Sequence, residues 1–113
     1  MSSVRERLLA RAKVPTPVEP VQAGDWGTVH VRGLTGAEYD EYERACVVEV
    51  GRKKEARANR AVLVRMCVCD EAGALIFKPG DEAELGGLPA GIVNPIVNAA
   101  MRLSGVTGDP KAD

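Results

Sequence analysis

Residues 35–70 constrain the fold more than any other part of the chain, because its densest periodicity and sharpest charge contrast both fall there. Thr35 followed by Glu38 has the form of a capping box, in which each side chain satisfies the other's free backbone N–H. Glu38, Asp40 and Glu41 would then lie at the end of a helix dipole that favours negative charge. Tyr39, Tyr42, Cys46 and Val50 recur at helical spacing and share one narrow face. Gly51 offers the left-handed C-cap that ends helices. The pattern predicts one helix over residues 35–50 and a second over about residues 53–70, meeting at Gly51.

In the second helix Ala56, Asn59, Leu63, Met66 and Cys67 share a face, and Val62, Val64 and Val68 spread apolar surface around the sides. A helix apolar nearly all round is buried on several sides, either at the centre of a domain or in an oligomer or partner interface. The run 62–69 is also rich in β-branched residues, and residues 70–73 could turn it into a hairpin with residues 74–77. Helix and strand therefore compete there, with the Ala-rich, charged lead-in of residues 54–61 favouring helix.

The flanks are simpler. Ser3 and Glu6 repeat the capping-box spacing, and Val4, Leu8, Leu9 and Ala12 give a short N-terminal helix an apolar stripe. Pro15, Pro17 and Pro20 exclude a helix and favour an extended connector over residues 14–20. Residues 28–32 alternate as a half-buried strand with Val29 and Val31 on one face, and residues 18–22 can pair with it as an edge strand, with Trp26 capping the sheet. A short strand over residues 73–77 is expected to pair with residues 28–32. Asp81 starts a single turn ending at Leu85, residues 88–93 form another turn, and Asn94 with Pro95 opens a last helix. Ile96, Ala99, Ala100 and Leu103 form that helix's apolar face.

The expected fold is thus α+β: mainly α, with a small β-hairpin or a two- to three-stranded antiparallel sheet. Residues 1–20 form a helix and connector, residues 21–105 a single domain, and residues 106–113 a flexible tail. At 113 residues the chain is large enough for one core but not for two. A net charge of -1 argues against a dedicated nucleic-acid binder. Three cysteines, Cys46, Cys67 and Cys69, fit free thiols in a reducing compartment better than a disulfide framework. With no run of roughly 18 apolar residues, neither secretion nor membrane insertion is expected.

Chemistry-bearing constellations are sparse. Cys67-x-Cys69 on a helix would aim its sulfurs apart, and His30, the one histidine, falls on the polar face of a strand, so no metal site, cofactor site or catalytic set can be assembled. An enzyme is not expected. Charge, by contrast, is segregated: Glu38, Asp40, Glu41, Glu43 and Glu49 precede Arg52, Lys53, Lys54, Arg57, Arg60 and Arg65, and acids return between Asp70 and Glu84. Complementary solvated faces explain this, each exposed pair being worth under about 1 kcal/mol. The functional alternative is that Lys53, Arg57 and Arg60 steer an acidic partner.

The segment running from Val31-Arg32-Gly33-Leu34-Thr35-Gly36 through Glu43, with Arg60-Ala61, Leu63-Val64, Cys67-Val68-Cys69-Asp70-Glu71-Ala72-Gly73, Ile76-Phe77 and residues 85–89 following in order, resembles the tail assembly chaperones of long-tailed bacteriophages. The resemblance implies a small, mostly helical protein of the host cytoplasm that holds the tape-measure protein during tail assembly and is absent from the finished virion. It implies the tape-measure protein as partner, with the tail-tube protein as a further one, and no nucleic acid or membrane. The basic run 52–60 and the Pro-rich connector depart from that pattern. On this reading, apolar surface of the helical pair and last helix binds amphipathic client segments, with Tyr39, Tyr42, Lys53, Arg57, Arg60, Ile96 and Leu103 as candidate contacts, and the nearly all-round apolar second helix motivates self-association into a homo-oligomer. A structural tail or head-tail connector subunit, or a small nucleic-acid-binding regulator using residues 52–60, are the alternatives.

Overall fold

The computed structural model describes residues 3–106; the expected tail falls almost wholly outside them. Ten elements follow in order: α1 (Val4–Ala12), β1 (Val18–Ala23), β2 (Gly27–Arg32), α2 (Gly36–Ala45), β3 (Val47–Val50), β4 (Lys53–Ala56), α3 (Arg60–Cys67), β5 (Val68–Cys69), α4 (Glu82–Leu85) and α5 (Ala90–Leu103). This is an α+β fold, with a three-stranded antiparallel sheet of order β1-β2-β5 and a separate β3-β4 pair.

The N-terminal signals are realised, except that α1 carries a single N-cap bond where the spacing predicts a reciprocal capping box. Ser3 caps α1, its hydroxyl accepting from the Glu6 N–H at 3.1 Å. β1 and β2 form the expected hairpin, with Glu19 opposite Val31 and Val21 opposite Val29. Pro20 is tolerated because β1 is an edge strand with no further neighbour to receive its missing N–H. The strand begins at Val18, inside the stretch expected as connector. At α2 both halves of the capping box are present: the Glu38 N–H donates to Thr35 Oγ1 at 3.2 Å and the Thr35 N–H donates to Glu38 Oε1 at 2.9 Å. The other Glu38 oxygen meets Arg32 Nη2 at 2.5 Å, tying the end of β2 to the start of α2.

The two long helices expected to meet at Gly51 are not formed. α2 stops at Ala45, and Val47–Val50 pairs with Lys53–Ala56 around a two-residue turn. Gly51 has a positive φ of 64° while Arg52 does not, the sign pattern of a II′ hairpin turn, whose first central residue is Gly. A left-handed glycine serves a helix C-cap and this turn equally well; the β-branched Val47, Val48 and Val50 decide for strand. α3 then starts at Arg60, capped by Asn59 Oδ1, which accepts from the Val62 N–H at 3.2 Å.

The competition over residues 62–69 resolves in favour of both forms. The chain is helical to Cys67, turns extended at Val68 without a loop, and pairs Val68 and Cys69 with Val31 and His30. Asp70 then reverses it, Oδ1 accepting from the Ala72 and Ala74 N–H groups at 2.8 and 3.0 Å, and Leu75 bridges back to Cys69. The segment after Gly73 therefore lies beside β5, and β5 takes the place at β2 expected for it.

Nor does the last helix start at Asn94. α5 begins at Ala90, absorbing the separate turn expected there, with Pro95 inside it. Pro95 removes the one N–H that would reach the Gly91 carbonyl. The helix survives that loss because Val93, Ile96, Ala99 and Ala100 are buried along its inner face. At its far end Gly33 lies so close that a Cβ there would stand 2.4 Å from the Leu103 carbonyl oxygen. Beside this contact the Leu34 N–H donates to Ser104 Oγ at 2.8 Å, and that hydroxyl donates to the Ala100 carbonyl at 2.6 Å.

The core sits where α3 and α5 meet the sheet, and Leu63, Val31, Val64 and Cys67 are its largest fully buried side chains. Arg65, the charged residue of α3, lies 2.7 Å from Glu82 on α4, although its Nε–H is not aimed along a hydrogen bond. Backbone N–H groups of Glu82 and Gly80 hold the Glu82 carboxyl below its ordinary pKa, with Arg65 adding to the effect. Arg102 pairs with Glu19 across α5 and β1.

A candidate docking groove

The residues expected to carry an interface are not gathered in one place. Tyr42 is buried, its ring 6.0 Å from that of half-buried Tyr39. Burial, then a hydrogen bond with Cys46, push the Tyr42 hydroxyl up to about 12. Ile96 is likewise buried in the core. Neither Tyr42 nor Ile96 presents a free surface, because the apolar stripes that suggested an interface are used to close the domain itself. Leu103 is half-buried, two turns of α5 beyond Ile96.

Lys53, Arg57 and Arg60 are exposed but do not form one helix face. Lys53 opens β4, Arg57 follows it with its N–H donating to the Cys46 carbonyl at 2.7 Å, and Arg60 opens α3. Across the hairpin Lys54 faces Glu49, and Arg57 pairs with Glu55 at 3.1 Å, so the basic run is interleaved with acids.

The apolar surplus expected around residues 62–68 is also absent. Val62, Leu63, Val64, Met66, Cys67 and Val68 are all buried. α3 is therefore the domain centre, and its composition no longer argues for self-association. The three cysteines are free and buried, and among the described residues no three His, Cys, Asp or Glu side chains come together as metal ligands. Burial holds the Cys67 thiol up at about 12 and raises Cys69 as well, which keeps both protonated and unreactive at neutral pH.

Apolar surface does remain: Val47 and Val50 are exposed on the β3–β4 hairpin, and two further patches lie elsewhere. The first is a groove of about 280 Å³ between the β1–β2 turn, the 76–77 segment and the start of α5. Val64 and Ile96 contribute to its floor, and Trp26, Ile76, Phe77 and Leu88 line its walls. Trp26 is 66% exposed and Ile76 55%. Trp26, expected to cap the sheet, lies in the β1–β2 turn at the sheet's end and lines the groove. Gly24 shapes that turn, since its φ is 57° and a Cβ would stand 2.6 Å from the Gly91 carbonyl oxygen on α5. Ile96 is the one candidate contact that lines this groove, from below. The wall residues lie in loops, where no periodicity marks them; a tryptophan in a tight turn and an Ile-Phe pair ahead of Pro79-Gly80 are the signals that point to them.

The second place is α1. None of its residues is buried; Val4 and Leu8 are more than half exposed, and Leu9 nearly so. No helix among the described residues is long and apolar enough to cross a membrane. No protein-family model, curated protein or solved structure matches the chain.

Proposed function

We propose that the protein is a tail assembly chaperone of a long-tailed bacteriophage, which binds the tape-measure protein and keeps it soluble in the host cytoplasm during tail assembly without entering the virion. Two supports stand together: the ordered motifs from Val31 to Pro89 that resemble that family, and the apolar groove bounded by Trp26, Ile76, Phe77 and Leu88. The groove is the observation that carries the mechanism. An amphipathic helix of the client lays its apolar face there as in other helix-in-groove complexes, with the tail-tube protein as a later partner. Binding alone does the work, and no reaction is catalysed.

Co-expression with the tape-measure protein tests this reading. A soluble complex that copurifies is expected, and it is weakened at least tenfold by Ile76→Glu, which places a charge on the exposed wall. A client that stays insoluble, with nothing copurifying, overturns the chaperone reading. Recovery of the protein from purified virions would overturn it in favour of a structural subunit.

A further inference from the structure

The groove beside Trp26 is narrow for a helical client. Its volume is about 280 Å³. An apolar cavity of roughly 150 Å³ holds a single benzene, so the groove takes about two side chains of that size. A docked amphipathic helix brings about three anchors, at i, i+3 or i+4, and i+7. One wall must therefore give way when such a helix binds.

The walls differ in how they are held. At the β1–β2 turn Gly24 lies against the Gly91 carbonyl of α5, and Ala23 is fully buried. The floor, with Val64 and Ile96, belongs to the core. Ile76 is tied to β5, its N–H donating to the Val68 carbonyl at 3.4 Å. Residues 78–88, which carry α4 and bring Leu85 and Leu88 to the groove, are attached more lightly. Apart from Asp81, Glu82 and Leu85 they are exposed. Among the described residues, every hydrogen bond of this stretch stays within it. The Lys78 N–H donates to Asp81 Oδ2 at 2.8 Å, the Gly80 N–H to Glu82 Oε1 at 2.6 Å, and the Leu88 N–H to the Leu85 carbonyl at 3.1 Å. The stretch is thus a closed unit. Between its two chain ends it is fastened to the domain by the buried Leu85 side chain and by Glu82 Oε2, which stands 2.7 Å from Arg65 Nε on α3. That ion pair lies behind the groove: Arg65 adjoins Val64, and Glu82 precedes Leu85 by one turn, but neither lines it. Charge rather than a directed hydrogen bond holds the pair.

We propose that residues 78–88 form a lid on the groove and that Arg65 and Glu82 are its latch. The lid swings about its ends as a unit when a client helix enters, and it closes again when the client leaves. Opening frees Leu85 to become a further apolar contact for the bound helix; closing returns it to the core. Arg65 and Glu82 are positioning residues, which touch no client and set how readily the groove widens. This inference rests on the groove as the binding surface proposed above, but not on which client fills it.

A thiol placed at Leu85 reads the lid in the full-length protein. In Leu85→Cys the new thiol is covered while the lid is closed and meets solvent when it opens, and its alkylation by uncharged iodoacetamide is followed by mass spectrometry. Cys46, Cys67 and Cys69 are free and buried, so their alkylation reports opening of the whole domain in the same sample. Adding Glu82→Gln removes the latch charge and keeps the shape of a partly exposed side chain. It is expected to speed labelling at position 85 about tenfold, as for a local opening, with the three native cysteines unchanged. Reversing the pair, with Arg65→Glu and Glu82→Arg together, is expected to bring labelling back towards the slow rate.

Equal labelling at position 85 with and without Glu82→Gln overturns the lid. So does faster labelling that extends to the native cysteines, which would make the ion pair an ordinary part of the global fold. Either result leaves the chaperone reading standing if the tape-measure protein still copurifies. A lid that opens as expected, in a protein with which no client copurifies, removes the chaperone reading and keeps the lid.

Discussion

α1 and α5 carry the same kind of message in their sequences and come to opposite fates. Both have apolar residues at helical spacing. α5 buries Val93, Ile96, Ala99 and Ala100 against the sheet and α3, whereas α1 buries nothing within the chain. Periodicity therefore tells which face of a helix seeks cover but not what covers it. The distinction is made by polar contacts far along the chain: Gly33 admits the last turn of α5 to the sheet, and Ser104 takes up the Leu34 N–H. α1 has only its own cap.

Matched substitutions in the two helices should separate sharply. Ile96→Ala is expected to cost about 2–5 kcal/mol, the range for a truncated core aliphatic, while Leu8→Ala stays within about 0.5 kcal/mol in urea unfolding of dilute protein. An equal loss at Leu8 would mean that α1 packs on its own domain. Gly33→Ala should cost about 1–3 kcal/mol through collision with the Leu103 carbonyl, a backbone atom with no flexible end to swing aside. A neutral result would show that α5 can slide away from β2.

Alkaline pH should act on the buried region alone. An unfolded cysteine loses its proton near pH 9 and an unfolded tyrosine near pH 10, but Cys67 and Tyr42 hold theirs to about 12 in the fold. The folded state thus retains protons that the unfolded state releases. Stability is full below pH 9 and is lost progressively as pH rises from there to 12. Urea midpoints measured between pH 8 and 11 check this, and a flat profile would contradict the burial of both groups. The smallest difference concerns the caps. Thr35→Ala should cost about 1 kcal/mol of global stability, whereas Ser3→Ala should lower helicity by circular dichroism and leave the unfolding midpoint of the monomer unchanged.

Where local chemistry was decisive, the sequence was readable. The capping box of α2, the Ser3 cap of α1, the β1–β2 hairpin and the apolar face of α5 rest on side chains that act within a few residues. The β3–β4 pair was not readable in the same way. Tyr39, Tyr42, Cys46 and Val50 satisfy a helical period only because two elements follow each other without a gap, and Gly51 suits either ending. Asn94-Pro95 is a good helix start by local rules, yet burial of Val93 and Ile96 extends the helix back through it. The groove was the least legible feature, because Trp26, Ile76 and Leu88 come from three loops that only the fold brings together.

The hydrogen bond between Leu34 and Ser104 spans 70 residues of chain. Protein synthesis is directional, and at roughly 5–20 residues per second the β1–β2 hairpin would leave the ribosome several seconds before α5 exists. Until then the face of the hairpin that α5 covers, with Val21, Val29 and Val31, lacks that cover. This closure order leaves the cover of the hairpin to α5, the last helix among the described residues.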